Sequence, residues 1–454
     1  MKKYDVIVIG SGCGMNIVEE ALSFGAEVAL VDRGPLGGTC PNNGCIPSKM
    51  LIFAADRLME IEEARKVGIK TRVQSIDFDF IMQRMRKMVT ETREEMRHGI
   101  AHAKHLGYYE GEGHFVDAYT LEVNGEKIKG GKIFVASGSR PLVPPVKGME
   151  SVDYLNNESL LDLRERPESL IIIGGGYIAV EYGHFFAAMG TRVTMLEMMD
   201  RLVLSEEPEI AEALKRELSK RMDVFTGIQV DEAKKDGADS VIIATERKTG
   251  AKKEFRAQKV LMAVGRRSNA DLIKAEKAGL ELDKRGYIKT NELLETNIKH
   301  IYAVGDANGT QMFTHVANRE SVLAVHNAMH GSRLKMDYSA TPHAIYSHPQ
   351  VASVGMTEEA ASKEHKVLVG RAKYSEVASG EIWMDDTGFA KVIVDAGARH
   401  RILGFHVIGP HAPVVIQEVI NAMASGGNID EIHSGMHIHP ALPELIVRTL
   451  GSIG

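Results

Sequence analysis

Two cysteines, Cys40 and Cys45, are the residues of this 454-residue chain with the clearest capacity for chemistry. They lie in the segment GGTCPNNGCIPSKM, and the apolar pattern after it predicts a helix that starts soon after Ile46. Their spacing is compatible with half of a zinc site, which His437 and His439 would complete. It is equally compatible with a redox dithiol in which a helix N-terminus stabilises the reactive thiolate.

A glycine-rich turn near the N-terminus is the first element that would position such chemistry. The apolar run Val6 to Ile9 predicts a buried parallel strand that ends in Gly10-Ser11-Gly12-Cys13-Gly14. After a helical pattern, a second strand, Glu27 to Val31, ends at Asp32. This is the dinucleotide-binding fingerprint, in which glycines admit a pyrophosphate and the acid binds a ribose. The third glycine of the pattern falls on Met15, where close helix–strand packing needs compensation from the neighbouring glycine. The third cysteine, inside the turn, is interpreted as a packing residue.

The same fingerprint recurs in the middle of the chain. A predicted strand, Leu170 to Ile173, leads into Gly174-Gly175-Gly176-Tyr177. After a helix, the strand Thr191 to Leu196 ends in Glu197, close to the usual spacing of about 20 residues from the first glycine. Two fingerprints imply two bound dinucleotides. Hydride chemistry between them would find an electron acceptor in a dithiol, so we favour the redox interpretation of the cysteine pair.

Two further segments each predict a strand that enters a tight turn. One ends the region that begins with the first fingerprint, and the other ends the region that begins with the second. The first contains Ser137 and Gly138, and the second ends in Gly265 and Arg266. Their similarity indicates a duplicated architecture. After about residue 337 the pattern changes to short alternating strands, Ala390–Val394 and Arg401–Ile408, and a helix near 413–425. This texture is typical of an antiparallel α+β domain.

Composition excludes several classes of function. The net charge is −6, with acids and bases mixed along the chain, so neither nucleic acid nor an anionic membrane surface is an expected partner. No segment reaches the roughly 18 apolar residues of a membrane span. Only three cysteines are present, which favours a reducing cytoplasm. The methionines Met82, Met85 and Met88 fall on a helical stripe and are predicted to be core, and we predict no metal site.

The sequence resembles the pyridine nucleotide–disulfide oxidoreductases, the family of dihydrolipoamide dehydrogenase and of glutathione, mercuric and mycothione reductases. GGTCxNxGCxPSK around the cysteine pair is the most specific match, and the resemblance covers essentially the whole chain. Further matches are Tyr302–Asp306 with the second FAD segment, Ser347–Gly355 with the start of the dimerisation domain, and His437–Glu444 with the C-terminal catalytic segment. The implied fold is α/β, with two Rossmann-like dinucleotide-binding domains and a C-terminal α+β dimerisation domain. The predicted boundaries are 1–145 for the first part of the FAD-binding domain, 146–266 for the NAD-binding domain, 267–336 for the second FAD-binding part and 337–454 for dimerisation.

The resemblance also implies a role for each part of a relay. Electrons would pass from NADH through FAD to the Cys40–Cys45 disulfide and then to a small disulfide substrate, or in reverse from a dithiol. Cys45 would be the flavin-side sulfur, and Cys40 would exchange with the substrate. His439, oriented by Glu444, would act as acid–base and would come from the partner subunit of a homodimer.

The resemblance further assigns cofactor contacts. Lys49 and Glu181 match an ion pair beside the flavin, where a cation helps the reduced ring carry negative charge. The residues predicted to bind FAD are Gly10, Gly12, Gly14, Asp32, Gly38, Thr39, Ser137, Gly138, Gly305 and Asp306. Those predicted to bind the nicotinamide dinucleotide are Gly174, Gly176, Tyr177, Glu197, Gly265 and Arg266.

Two residues, Glu197 and Tyr177, favour different substrates. Glu197 favours NAD(H), because a carboxylate accepts from a free ribose hydroxyl and repels a 2′-phosphate, as in dihydrolipoamide dehydrogenase. Tyr177 resembles the flavin-covering tyrosine of glutathione reductase, and the C-terminal segment looks most like mycothione reductase. We therefore predict a dihydrolipoamide dehydrogenase-like enzyme that acts on a small-molecule disulfide or dithiol, with a lipoyl protein as one candidate partner. The alternatives are a low-molecular-weight disulfide reductase and a thiol-independent NADH oxidase or diaphorase.

Overall fold

The computed structural model describes residues 1–397 and 400–453, which divide into two compact units. The first unit comprises Met1–Ser48, Met82–Leu142 and Gly265–Asp337. The second comprises Lys49–Ile81, Val143–Val264 and the described chain from Tyr338 onward.

The described chain contains both helices and strands. The helices are α1 (Gly14–Ser23), α2 (Thr39–Asn43), α3 (Cys45–Glu63), α4 (Phe78–His102), α5 (Tyr177–Ala188), α6 (Pro208–Leu218), α7 (Thr314–His330), α8 (Glu358–Ala361), α9 (Ala378–Ile382), α10 (Ala412–Val415), α11 (Gln417–Ala424), α12 (Ile429–His433) and α13 (Glu444–Leu450). The strands are β1 (Lys2–Ile9), β2 (Val28–Asp32), β3 (Leu106–Glu110), β4 (His114–Asp117), β5 (Thr120–Val123), β6 (Glu126–Val135), β7 (Ser139–Pro141), β8 (Tyr154–Leu155), β9 (Ser169–Ile173), β10 (Arg192–Glu197), β11 (Asp223–Thr226), β12 (Ile228–Asp236), β13 (Asp239–Glu246), β14 (Lys252–Ala257), β15 (Lys259–Met262), β16 (Arg266–Ser268), β17 (Ile301–Ala303), β18 (Pro342–Ile345), β19 (Val351–Gly355), β20 (Val367–Lys373), β21 (Phe389–Asp395) and β22 (Ile402–Ile408).

The first unit is built on one mixed sheet in the order β3-β2-β1-β6-β5-β4, with β17 also paired to β6. β1, β2, β3 and β17 run parallel to their neighbours, and β4 and β5 are antiparallel. The run Val6–Ile9 is at most 5% exposed, because helices and loops cover both faces of a parallel sheet. The carboxyl ends of β1, β2 and β6 therefore lie at one edge, which is where ligands bind in such sheets.

The second unit contains three sheets. The parallel sheet β11-β10-β9-β15-β8 is accompanied by the antiparallel meander β12-β13-β14. The C-terminal region forms the antiparallel sheet β18-β19-β22-β21-β20, whose apolar side packs against helices that include α13. The predicted α/β class with a C-terminal α+β domain is confirmed. Among the described helices, none combines the length and apolar character needed to cross a membrane.

Two predicted helix boundaries differ from the structure. The helix after the cysteine motif begins at Cys45 itself, because Pro47 is tolerated in the first turn, where its missing N–H has no helical partner. The helix predicted near 413–425 is divided at Ile416 into α10 and α11, with Pro413 in the first turn of α10.

A buried lysine joins α6 to the C-terminal sheet. Lys391 on β21 is 3% exposed, and its Nζ lies 2.7 Å from carboxylate oxygens of Glu207, Glu209 and Glu358. Burial would lower the pKa of Lys391, but the hydrogen bonds to these carboxylates outweigh burial and raise it. The ammonium therefore stays charged and neutralises Glu207, which is 2% exposed.

Lys391→Met should destabilise the protein by about 3–5 kcal/mol, because it leaves a buried carboxylate without its counter-ion. Urea unfolding of the FAD-loaded enzyme would measure the change. Lys363→Met is the matched control, since its pair with Glu359 is exposed and should contribute under about 1 kcal/mol. A loss at Lys391 no larger than the control's would contradict this assignment.

Candidate active site

The two glycine turns have the same geometry. Gly10 has a φ of +104°, and a Cβ there would lie 2.2 Å from the carbonyl oxygen of Ala136. Gly174 has a φ of +118°, and its Cβ would lie 2.3 Å from the carbonyl oxygen of Ala263. Only glycine can occupy such a position. In both turns the backbone after one strand lies in close contact with the backbone after the strand that pairs with it in the sheet. This repeated geometry is expected for a duplicated dinucleotide-binding architecture.

The later glycines of the first turn have different surroundings. A Cβ on Gly12 would meet nothing closer than 3.8 Å, so the backbone there is open to a phosphate. A Cβ on Gly14 would lie 2.8 Å from Val8 Cγ1, which makes Gly14 the residue that permits close packing of α1 on β1. Met15 packs at the edge of the same core. Cys13 lies against Gly305, and burial raises the pKa of the Cys13 thiol to about 12, consistent with a packing role.

The acid of each fingerprint lies at the end of its strand. Asp32 accepts hydrogen bonds from the backbone of Ser11 and of Gly34, each at 2.5 Å. Glu197 Oε1 accepts from the backbone N–H of Met199 at 2.6 Å. Both carboxylates are thus held at the edge of a parallel sheet beside a glycine turn.

The first unit fits a polar dinucleotide such as FAD. The buried hydroxyl oxygens of Ser137 and Tyr108 have no hydrogen-bond partner among the described residues, and a bound ligand would satisfy such groups. Asp306 accepts from Ser139 Oγ, and Arg266 Nε lies 3.5 Å from the Asp306 carboxylate. Arg266, predicted to contact the nicotinamide dinucleotide, therefore belongs to the first unit and braces Asp306. Gly138 leaves open space beside this group.

The cysteine segment is packed directly on the first glycine turn. A Cβ on Gly38 would lie 2.8 Å from the Cα of Gly12, so the two backbones touch. Thr39 and Cys40 open α2, and Cys45 opens α3. A hydrogen bond with the Cys45 side chain and then burial raise the pKa of the Cys40 thiol. The two cysteines and the first glycine turn thus lie together in the first unit.

Two polar residues that sequence reasoning missed hold this segment in place. The Asn42 amide donates to the carbonyls of Leu36 (2.7 Å) and Gly38 (2.8 Å), and its oxygen accepts from Arg93. Thr314 Oγ1 lies 3.2 Å from Cys45 Sγ. Thr314 is the first residue of α7, so a hydroxyl and the positive end of a helix dipole both face the sulfur. Asn42 lies inside the recognised motif, but nothing in the sequence pairs Thr314 with Cys45.

Thr314→Val should slow disulfide turnover by about tenfold, because one hydrogen bond to the Cys45 sulfur, about 1–1.5 kcal/mol, is lost. Stopped-flow flavin reduction by NADH should be nearly unchanged. Thr314→Ser keeps the hydroxyl and should retain most of the turnover. If valine and serine behave alike, the contact with Cys45 has no catalytic part.

The second unit brings the predicted lysine–glutamate pair together. Lys49 Nζ lies 2.9 and 2.8 Å from the two carboxylate oxygens of Glu181, which also accepts from the backbone N–H of Tyr346. Glu181 is 6% exposed, and burial raises its pKa, while the charge of Lys49 offsets part of the effect. Lys49 Nζ also lies 4.7 Å from the centre of the Tyr346 ring. Two carboxylate oxygens and an aromatic ring therefore fix the position of the Lys49 Nζ.

Tyr177, the first residue of α5, belongs to a polar network. Its hydroxyl lies 2.5 Å from Ser205 Oγ and donates to Glu206 Oε1 at 3.1 Å. Its ring stacks on His343 at 5.6 Å. Burial would raise the pKa of Glu206, but hydrogen bonds from His343 and Ser353 outweigh it and lower the pKa. Glu206, whose pKa is lowered, therefore accepts a hydrogen bond from the Tyr177 hydroxyl.

The C-terminal segment places its two histidines in different roles. His439 Nδ1 lies 2.8 Å from Glu444 Oε1, and the His439 side chain is 71% exposed. A hydrogen bond from the backbone of Ala441, and then His439, lower the pKa of Glu444. His437 uses both ring nitrogens, on Gly435 O and on Glu418, which leaves none for a metal in this arrangement. His439 is thus an exposed, oriented imidazole, and His437 is structural.

Comparison with protein-family models establishes the class. Residues 4–321 match the pyridine nucleotide–disulphide oxidoreductases, and residues 341–450 match the dimerisation domain of these enzymes. The chain belongs to the pyridine nucleotide–disulphide oxidoreductase family, as its motifs predicted. It is an FAD-dependent enzyme that uses a nicotinamide dinucleotide and a redox-active cysteine pair, and its dimerisation domain supports a homodimer.

Relatives named for different substrates are almost equally similar to this chain in sequence. The chain is 32% identical over 463 residues to mycothione reductase of Mycobacterium tuberculosis, covering 99% of each chain. It is 31% identical over 461 residues to dihydrolipoyl dehydrogenase of Bacillus subtilis, covering 98% of this chain and 96% of that one. It is 32% identical over 432 residues to mercuric reductase of Staphylococcus aureus, covering 94% and 78%. The solved Cu(II) complex of the HOCl-induced flavoprotein disulfide reductase RclA from Escherichia coli matches with a TM-score of 0.88 at 25% identity, covering 99% of both chains. These similarities support the reaction class without selecting a substrate.

Proposed function

We propose that this enzyme is an NAD(H)-linked dithiol–disulfide oxidoreductase of the dihydrolipoamide dehydrogenase type. The observation that carries the proposal is the packing of the segment that holds Cys40 and Cys45 on the first glycine turn, where a Cβ on Gly38 would lie 2.8 Å from the Cα of Gly12. A dithiol packed on a dinucleotide turn is suited to pass two electrons between a flavin and a thiol substrate. A zinc site would need further ligands, and the described residues offer no three-ligand cluster that contains these cysteines.

The cysteines carry the exchange chemistry in this proposal. A substrate thiolate attacks the Cys40 sulfur of the Cys40–Cys45 disulfide, and the S–S bond breaks with its electron pair on Cys45. The second substrate thiol attacks the mixed disulfide, which releases the oxidised substrate and leaves Cys40 as a thiol. The first glycine turn would hold FAD, which would supply two-electron transfer between this dithiol and NAD⁺, so the redox balance closes with NADH. Thr314 stabilises the charge on the Cys45 sulfur in between.

A base must accompany this exchange. Contact with Cys45 and burial raise the pKa of Cys40, so a neighbouring group has to take or return its proton. His439 suits this role, because an ionised Glu444 can only accept and so keeps the proton on Nδ1. Nε2 of His439 is left to bind the transferred proton. By the family resemblance this imidazole serves the Cys40 of the partner subunit.

The nicotinamide preference is assigned to Glu197. Its Oε1 is held by Met199, and its Oε2 has no hydrogen-bond partner among the described residues and can accept from a ribose hydroxyl. The residues that follow, Met198 and Met199, carry no charge. Two cations nearby could favour a 2′-phosphate, and each donates to a backbone carbonyl: Arg201 to Leu204 and Arg247 to Met198.

We predict that NADH is preferred over NADPH by at least about tenfold in kcat/KM. A lost charge-assisted hydrogen bond plus repulsion of the 2′-phosphate costs about 2–3 kcal/mol, or roughly 30- to 150-fold before screening. Glu197→Ala should shrink the preference, mainly by improving NADPH. Glu212→Ala, an exposed acid on α6, is the control and should change nothing. A wild-type preference for NADPH would instead favour the low-molecular-weight disulfide reductase.

That reductase is the second candidate, and Tyr177 is the residue that favours it. An aromatic ring at the start of α5, anchored by Ser205 and Glu206, resembles the tyrosine of glutathione reductase. Mercuric reductases carry an extra cysteine pair near the C-terminus. Mercuric reduction is less well supported for this sequence, because it contains no cysteine after Cys45. A thiol-independent NADH oxidase would leave the cysteine pair without a purpose.

Steady-state assays with a substrate panel test the choice. Dihydrolipoamide with NAD⁺ should give the highest kcat/KM. Oxidised glutathione, coenzyme A disulfide, mycothiol disulfide and Hg²⁺, each with NADH and NADPH, should give at least about tenfold less. A faster reaction with a monothiol disulfide would replace the proposed substrate while leaving the disulfide chemistry in place. Turnover with oxygen as the electron acceptor, and with none of the thiol or disulfide substrates, would refute the disulfide chemistry.

A further inference from the structure

A cluster of three potential metal ligands lies between α1 and α7, away from the cysteine pair in sequence. Glu20 belongs to α1, and His326 and His330 lie one turn apart on α7. One ligand atom from each lies within 4.8 Å of the other two. The two imidazole rings are 4.3 Å apart, centre to centre. A hydrogen bond from Asn16 to Ser321, 3.0 Å long, holds the same two helices together nearby.

The ligand atoms of this cluster are not committed to other protein groups. In the described chain, no hydrogen bond or ion pair engages the Glu20 carboxylate or a ring nitrogen of His326 or His330. The ring of Phe24 packs edge-on against His330, with the ring centres 4.7 Å apart. A charged carboxylate and two imidazoles facing one point without a partner are a donor set for a cation.

Comparable clusters elsewhere in the described chain are already used or incomplete. The carboxylates of Glu207, Glu209 and Glu358 also converge, but the ammonium of Lys391 lies among them. His98 and His102 have the same helical spacing, with rings 4.2 Å apart. In that pair His102 Nδ1 is bonded to the His98 carbonyl, and no acid completes the set.

Although no metal site was predicted from the sequence, we propose that Glu20, His326 and His330 form a binding site for a divalent transition-metal ion, with Zn²⁺ as the representative. Imidazole and carboxylate ligands suit Zn²⁺ and its neighbours and disfavour Mg²⁺ and Ca²⁺, which take oxygen ligands. Three protein ligands leave a position for water. The ion would cross-link α1, which begins at the first glycine turn, to α7, which begins at the Thr314 contact with Cys45. It would thereby stabilise the first unit.

Isothermal titration of the metal-stripped, oxidised, FAD-loaded enzyme with ZnCl₂ tests the site, because oxidation withdraws the cysteine pair from metal binding. The wild type should bind one Zn²⁺ per chain at this site. His326→Ala/His330→Ala should lose that equivalent, and Glu20→Gln, on the other helix, should weaken it at least about tenfold. Saturating Zn²⁺ should raise the Tm of the wild type by about 3 °C and leave the double variant unchanged.

The matched control is His98→Ala/His102→Ala, which should bind Zn²⁺ as the wild type does and show the same rise in Tm. Unchanged flavin absorbance and metal-free Tm would establish that each variant is folded. The proposal is overturned if the double variant retains the binding, if both histidine pairs contribute equally, or if the wild type shows no stoichiometric site. Equal contributions of the two histidine pairs to Zn²⁺ binding would mean that surface histidines bind the ion without a specific site.

Discussion

Cys40→Ser should abolish turnover of a disulfide or dithiol substrate, with a loss of at least about 10⁴-fold, while NADH continues to reduce the flavin. A serine hydroxyl cannot form the mixed disulfide, so the relay stops at the substrate-side sulfur, and effects of this size follow removal of a nucleophile. Stopped-flow bleaching of the flavin and steady-state turnover, measured on the same preparation, separate the two half-reactions.

The third cysteine provides the matched control. Cys13→Ala removes a buried thiol in the glycine turn whose pKa is raised to about 12 by burial, and turnover should stay close to that of the wild type. Full disulfide turnover in Cys40→Ser would exclude the cysteine pair as the relay. Loss of turnover with equal loss of flavin reduction would show damage to the flavin site instead.

His439→Ala should lower turnover by about 10²–10⁴-fold, the usual contribution of a general acid–base, without slowing flavin reduction by NADH. The structure supplies the reason, since Glu444 holds His439 by one nitrogen and leaves the other for proton transfer. Glu444→Gln keeps a hydrogen-bond acceptor and should have a smaller effect. His437→Ala should act on stability rather than on rate, because its ring nitrogens bond to Gly435 and Glu418.

Mixed dimers test whether His439 serves the partner's Cys40. In a dimer of one Cys40→Ser chain and one His439→Ala chain, both defects fall in one site and the other site is intact. Random pairing of the two chains makes about half of the dimers mixed, so a co-expressed sample should recover about a quarter of wild-type activity. If each site were built from one chain, every site would carry a defect, and the sample would remain inactive.

The sequence predicted those parts of the fold whose signals are local. The apolar runs of β1 and β9 and the glycines that follow them identify both dinucleotide turns, because positive φ and close backbone approach demand glycine at Gly10 and Gly174. The pairing of Lys49 with Glu181 was also predicted, although only through resemblance, since 132 residues separate them.

Contacts between distant segments were not predictable in the same way. Thr314 is 269 residues from Cys45, and no periodicity or spacing connects them. Lys391 sits in a strand that otherwise reads as apolar, and its three carboxylate partners are visible only in three dimensions. The pairing of Arg266 with Asp306 likewise depends on where the chain re-enters the first unit.

Counting thiols before and after reduction by NADH tests the central claim most directly. The oxidised enzyme is treated anaerobically with one equivalent of NADH, denatured in an alkylating reagent and digested, and each cysteine peptide is quantified by mass spectrometry. Cys40 and Cys45 should be protected before NADH and alkylated afterwards, each approaching one label per chain, while Cys13 is labelled in both samples and serves as the internal standard. If Cys40 and Cys45 are equally alkylated with and without NADH, or are protected by bound zinc, the cysteine pair does not carry electrons and the account is wrong.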